Sequence, residues 1–222
     1  MTDHHSLGTD PLLGSGAAAD SIVVLGIGNV LWADEGFGVR CVEALQREWT
    51  FAPHVRLVDG GTQGLYLIET VQSASKLLIF DAIDYGLVPG TIKLIENDEV
   101  PRFMGAKKMS LHQTGFQEVL SLAQFTGHYP EQVLLIGCQP EELEDFGGSL
   151  RESVKRVMPD ALKQGIDRLQ SWGGAPIRRA QPLPEDATLT GSMLTLQRYE
   201  TERPSAEHAC RIGDERFIPK VP

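Results

Sequence analysis

Ile22-Val23-Val24-Leu25-Gly26-Ile27-Gly28-Asn29, followed shortly by Asp34-Glu35-Gly36-Phe37-Gly38, is the stretch that decides the fold. An apolar run that stops on glycines reads as a buried strand ending in a turn, because glycine adopts conformations closed to other residues and lets a ligand approach. Gly38, Val42, Leu45 and Trp49 then recur at spacings of four, three and four, the pattern of one apolar helix face. Two carboxylates at the junction would repel a phosphate. The turn therefore reads as a site for a cation or a peptide, where the glycines alone would point to a nucleotide.

Working outward, short apolar runs predict further strands over residues 55–58, 76–80, 91–95 and 132–136. A second helix is expected over 65–71, and a third carries Phe116, Val119, Leu120 and Ala123 on one stripe. The last runs from 151 to about 169, with Pro159 expected to kink or split it. Alternating strands and helices give an α/β three-layer sandwich, a mostly parallel twisted sheet of about five strands flanked by helices. The link over 84–90 contains Pro89-Gly90 and is too short for a parallel crossover, so one strand is expected to be antiparallel.

The chain has 222 residues and a net charge of −10, enough for one full core and the wrong sign for a general nucleic-acid binder. Cys41, Cys138 and Cys210 form no CxxC pair and suit a reducing compartment. Residues 1–20 contain neither Lys nor Arg, unlike a signal peptide, and read as a flexible leader with His4-His5 solvated in it. Beyond Gly173 the composition shifts to Pro, Thr and balanced charge, so 173–222 is expected to be an extended or disordered tail without its own core. The α/β domain then occupies 21–172.

In an open α/β sheet the ligand crevice lies outside the carboxyl ends of the strands. Those positions hold Glu35, Asp59 and Asp81 after the first three strands, and His112 precedes the third helix. Carboxylates with an imidazole suit a borderline divalent metal such as nickel, zinc or iron. Plainer roles compete: Asp34 as N-cap of the first helix, Asp59 as a turn former with Thr62 capping the second helix, Asp84 as a solvated turn residue. His112 taken alone reads as a helix-start or surface residue, His54, His128 and His208 read as structural, and Cys138 as a small buried hydrophobe. No HExxH, GxSxG or papain-like cysteine context is present.

Gly26-x-Gly28-Asn29, Asp34-Glu35-x-x-Gly38, Asp59-Gly60-Gly61-Thr62-x-Gly64, Asp81-Ala82-Ile83-Asp84, His112-Gln113 and Gly137-x-x-Pro140 stand in the order and approximate spacing of the [NiFe]-hydrogenase maturation endopeptidases. From about Ser21 to Trp172 the chain resembles that family. The resemblance implies a protease that removes a C-terminal peptide from the hydrogenase large-subunit precursor after nickel insertion. With the leader unlike a signal peptide and processing preceding export, it is expected in the cytoplasm, and the acidic charge and the short apolar content of the leader leave no nucleic acid or membrane as expected partner. The resemblance also implies Glu35, Asp81 and His112 as contacts to nickel, which the precursor itself supplies. The metal either acts on the scissile amide or serves as a recognition anchor while Asp34 or Asp59 activates water, as in an aspartyl protease. The alternatives are a non-cleaving maturation chaperone and a dinucleotide-binding oxidoreductase; for the latter, Leu31 stands where GxGxxG requires glycine.

Overall fold

The computed structural model describes residues 20–104, 111–184, 187–189 and 194–202, with backbone alone for 103–104 and 111–114. Its elements run β1 (Ile22–Ile27), α1 (Phe37–Glu48), β2 (Trp49–Thr50), β3 (Val55–Gly61), α2 (Ile68–Gln72), β4 (Lys76–Ala82), β5 (Ile92–Glu96), α3 (Glu99–Met104), α4 (Leu111–Phe125), β6 (Gln132–Cys138), α5 (Glu152–Ser171), β7 (Ile177–Arg178) and α6 (Leu196–Thr201). Short 3-10 turns at Ala33–Gly36 and Gly64–Leu67 introduce α1 and α2.

The main sheet has the order β3-β1-β4-β6-β5. Pairs β1–β3, β1–β4 and β4–β6 are parallel, and β5 runs antiparallel to β6. Successive side chains of a strand point to opposite faces, so central strands covered on both sides must be apolar throughout. Val23, Leu25, Leu77, Ile79, Val133 and Leu135 face one layer, where Val71 of α2 and Phe116, Val119 and Leu120 of α4 close over them. Ile22, Val24, Leu78, Phe80, Leu134 and Ile136 face the other, against Phe37, Cys41, Val42 and Leu45 of α1 and Val154, Ala161 and Leu169 of α5. Each large side chain fully buried in this way contributes about 1.5–3 kcal/mol.

Three expectations change. The antiparallel strand β5 does not lie beside β4, the strand it follows in sequence; β6 takes that edge, and the loop after β4 passes around the end of β6. Ile83 N–H donates to Cys138 O at 2.9 Å, and Gly90 N–H to Gln139 O at 2.8 Å, which fixes that path. Pro159 does not split α5, which runs continuously through it. Trp49 falls outside α1, in β2, although it still packs on the apolar cluster below that helix.

After α5 the chain turns at Gly173, whose φ of +86° favours glycine. β7 then pairs with β2, and α6 follows with no buried residue of its own. Most of the leader, 1–19, and residues 203–222 lie outside the described residues. Among the described residues no helix is long and apolar enough to cross a membrane.

Candidate active site

The carboxyl edge of the sheet is built by close backbone contact. A Cβ at Gly38 would meet Phe80 O at 2.1 Å and Ile27 O at 2.3 Å, so the first turn of α1 rests directly on the ends of β1 and β4. Gly26 faces the same helix, 2.4 Å from Gly38 O by the same measure. Gly28, at φ +130°, lies under the 3-10 turn, where a Cβ would stand 1.8 Å from Glu35 O. The glycine turn is thus occupied by the chain's own Ala33–Gly36 segment. A dinucleotide-binding turn would leave that side of the glycine to the pyrophosphate, so the packing speaks against the dinucleotide reading.

Asp34 is fully buried and does not cap α1, whose N-cap residue is Gly36. Its Oδ2 accepts Glu141 N–H at 2.8 Å and Glu142 N–H at 3.0 Å, and its Oδ1 accepts Arg151 N–H at 2.7 Å. It therefore ties the 3-10 turn to the loop after β6 and to the N-cap residue of α5. Both oxygens are committed to backbone donors, which leaves the carboxylate poorly placed to take a proton from water.

Glu35, one residue on, is half-buried, and burial pushes its carboxyl up to about 7. Asp59 sits near the end of β3, in register with Gly26. Its Oδ1 accepts Gly61 N–H at 3.0 Å, so it does shape the turn, but Gln63, not Thr62, stands at the helix start and no side chain caps it. Burial raises the Asp59 carboxyl, while the Gly61 N–H and the positive charge of Arg40 pull it back. An open cleft beside it is lined by Gly28, Asn29, Val39, Gly61 and Thr62.

Asp81 is fully buried near the end of β4, opposite Gly137 of β6. Gly137 leaves room for Tyr85, since a Cβ there would meet Tyr85 Oη at 2.0 Å. Burial first, then the negative charge of Asp81, pushes the Tyr85 phenol well above its ordinary value. Asp84 closes a turn by accepting Gly86 N–H at 2.8 Å and also takes Gln139 Nε2–H at 3.0 Å. Gln139 in turn accepts Tyr85 N–H at 2.7 Å and Leu87 N–H at 3.1 Å, clamping the loop next to Asp81.

His112 lies in the first turn of α4, and its side chain is outside the described residues. The N-terminal end of α4 approaches the turn after β3, where Gly115 and Gly64 pack backbone to backbone, a Cβ on Gly115 being 3.3 Å from Gly64 Cα. Among the described residues no three His, Cys, Asp or Glu side chains group to hold a metal ion. Tyr85, Gln139 and Arg40 were not singled out from sequence. For Tyr85 the glycine of Gly137-x-x-Pro140 was the one trace, and its meaning depends on that tyrosine arriving from another loop.

Among the described residues no thiol fits the role of nucleophile. Cys41 and Cys138 are fully buried, and burial pushes Cys138 up to about 12, with the charge of Asp34 adding to it. Cys41 is likewise raised well above its ordinary value by burial.

Residues 39–168 match the hydrogenase maturation protease family, leaving the segment beyond α5 outside the match. The chain is 66% identical over 199 residues to the hydrogenase expression/formation protein HoxM of Cupriavidus necator, covering 90% of this chain and 98% of that one. It is 39% identical over 159 residues to the hydrogenase 2 maturation protease of Escherichia coli, covering 71% and 96% respectively. Among solved structures, the hydrogenase maturating endopeptidase HybD from E. coli superposes with a TM-score of 0.69 at 38% identity, over 72% of this chain and 98% of that one. A non-cleaving chaperone gives way to these matches: the chain belongs to the hydrogenase maturation protease family and is a peptidase.

Proposed function

We propose that this protein is the endopeptidase that removes the C-terminal peptide of a [NiFe]-hydrogenase large-subunit precursor after nickel insertion, and that it acts in the cytoplasm, before export or membrane attachment. The observation that carries the reading is topological. Asp59 and Asp81 lie in the last residues of β3 and β4, and Glu35 follows β1 between them, all at one edge of the sheet of a hydrogenase maturation protease.

In this reading Glu35, Asp81 and His112 contact nickel that arrives with the precursor, so that an unloaded precursor lacks the anchor that seats its tail. A carboxylate pushed up to about 7 by burial is well suited to the task. It exchanges a proton for a cation, and the incoming charge relieves the desolvation that burial imposes. Asp59, at the open cleft, is assigned as the base that activates water, because its raised pKa brings it nearer to the working range of a general base. Asp34 is assigned to positioning, through its three backbone donors. The metal brought by the substrate polarises the scissile carbonyl where it lies within reach, or serves as anchor alone.

Single substitutions Asp81→Asn and His112→Ala test the assignment on nickel-loaded precursor, followed by mass spectrometry. Trimming is expected to stop or slow severely in each, with the thermal transition of His112→Ala close to wild type. Normal turnover in either variant would remove that residue from the site.

A further inference from the structure

The described residues between 174 and 202 form a strap that follows α1 from its C-terminal to its N-terminal end. Arg179 N–H donates to Glu48 O at 2.7 Å, Leu183 N–H to Arg47 O at 2.9 Å, and Leu189 N–H to Gln46 Oε1 at 2.7 Å. Nearer the start of the helix, Leu196 N–H reaches Glu43 Oε1 at 3.4 Å, and Arg40 donates to Leu194 O. α6 then crosses to α5. The Arg40 guanidinium lies 5.6 Å from the centre of the Tyr199 ring, and Glu200 Oε1 receives Ser149 Oγ–H and Lys155 Nζ, each at 2.5 Å.

These contacts join two particular turns. Arg40 is in the first turn of α1, directly after the 3-10 turn that carries Glu35, and Lys155 is in the first turn of α5. Asp34 makes an inner tie across the same seam through Arg151 N–H. The strap makes an outer one.

The outer tie carries an energetic cost. On a bare α1, Arg40 and Glu43 would be a surface pair three residues apart, contributing at most about 1 kcal/mol. Under the strap both are buried, Arg40 2% and Glu43 4% exposed, with a 2.8 Å ion pair between them. Burying two charges is unfavourable unless further partners are supplied; the Leu194 carbonyl and the Tyr199 face supply them for Arg40, and Leu196 N–H for Glu43.

We propose that α6 is a clamp for the catalytic edge, with Arg40 and Glu200 as positioning residues that lock the first turn of α1 to the first turn of α5 and so hold the 3-10 turn bearing Glu35. The proposal rests on the reading of Glu35 as a site residue. Glu200 acts here through Lys155 and Ser149, Arg40 through Glu43 and the strap.

The test uses the full chain with Glu200→Gln and the double variant Tyr199→Leu/Glu200→Gln. Three experiments are read: the thermal transition, the kinetics of trimming of nickel-loaded precursor as kcat and KM, and amide hydrogen exchange at Asp34 and Glu35. Both amides have backbone acceptors, Glu142 O at 3.0 Å and Trp32 O at 2.9 Å, so loosening of the turn is visible as faster exchange. A clamp predicts faster exchange at these two amides and a kcat about fivefold lower at unchanged KM in the double variant, with the single variant between it and wild type. A lower thermal transition with unchanged kcat and exchange would make the strap a stabilising element only and overturn the proposal. So would a rise in KM alone, which places the strap at the substrate surface. Faster exchange in the variants, with no trimming even by wild type, would uphold the clamp and refute the reading of the site.

Discussion

Replacing Glu35 by Gln is expected to make the protein more stable and inactive, with the gain in stability confined to high pH. Glu35 is held in the 3-10 turn between two buried residues, Asp34 and Gly36, and its carboxyl is raised from an ordinary 4.5 to about 7 by burial. An acid raised in the folded state favours folding while protonated, so its contribution is full below the unfolded value and is lost as pH rises through about 7. At about 1.4 kcal/mol per tenfold change in ionisation, the full shift corresponds to about 3 kcal/mol. Half-burial leaves solvent to screen the charge, which reduces this to about 1–2 kcal/mol. For a chain of this size that is a rise of roughly 3–6 °C in Tm. Thermal melts of Glu35→Gln and wild type at about pH 5 and about pH 8 read it directly, since Gln imitates the protonated form. The variant should separate from wild type only at the higher pH. Equal transitions at the higher pH, or the same gap at both, would refute the claim that desolvation of this carboxylate governs its ionisation.

Other expectations follow from the same edge. Gly38→Ala sets a methyl against Phe80 O and Ile27 O, backbone atoms that cannot step aside, and should cost about 3 kcal/mol or more, seen as a lowered urea midpoint. An unchanged midpoint would mean that α1 does not rest on the strand ends as described. Asp34→Ala removes the buried acceptor of three part-buried backbone N–H groups, and a loss of about 2–4 kcal/mol with a Tm lower by roughly 10 °C is expected. Loss of turnover at undiminished stability would instead make Asp34 a participant in the chemistry. Cys41 and Cys138, buried with raised pKa values, should resist alkylation by iodoacetamide in the native state and react only after denaturation, which peptide mapping distinguishes.

Much of this architecture is legible in the sequence because it is written locally. The apolar runs of β1, β4 and β6 are continuous because both faces of those strands are covered, and Gly26, Gly28 and Gly38 mark where α1 presses on the strand ends. Glu35, Asp59 and Asp81 were legible as edge residues, since each stands at or just beyond the carboxyl end of a strand, where the crevice of a parallel sheet lies. What was not legible depends on distant partners. Asp34 reads as a helix cap because a cap is the local role of an aspartate before a helix; its actual partners are amides 107 to 117 residues away. The edge position of β5 depends on β6 reaching β4 first, a competition that no local pattern records. Arg40 looks like any exposed helix arginine until the strap folds over it, and the proline-rich composition of the strap gives no sign of where it docks. Pro159 looks disruptive, yet tertiary packing of α5 through Val154, Ala161 and Leu169 holds the helix across it.

The most direct test is to incubate the full-length protein with hydrogenase large-subunit precursor, nickel-loaded and nickel-free in parallel, and to follow substrate mass with time. Loss of a C-terminal peptide from the loaded form alone is the predicted result. Equal trimming of both forms would contradict the metal-gated account, and an unchanged mass in a precursor of verified loading would contradict the assignment of that precursor as its substrate.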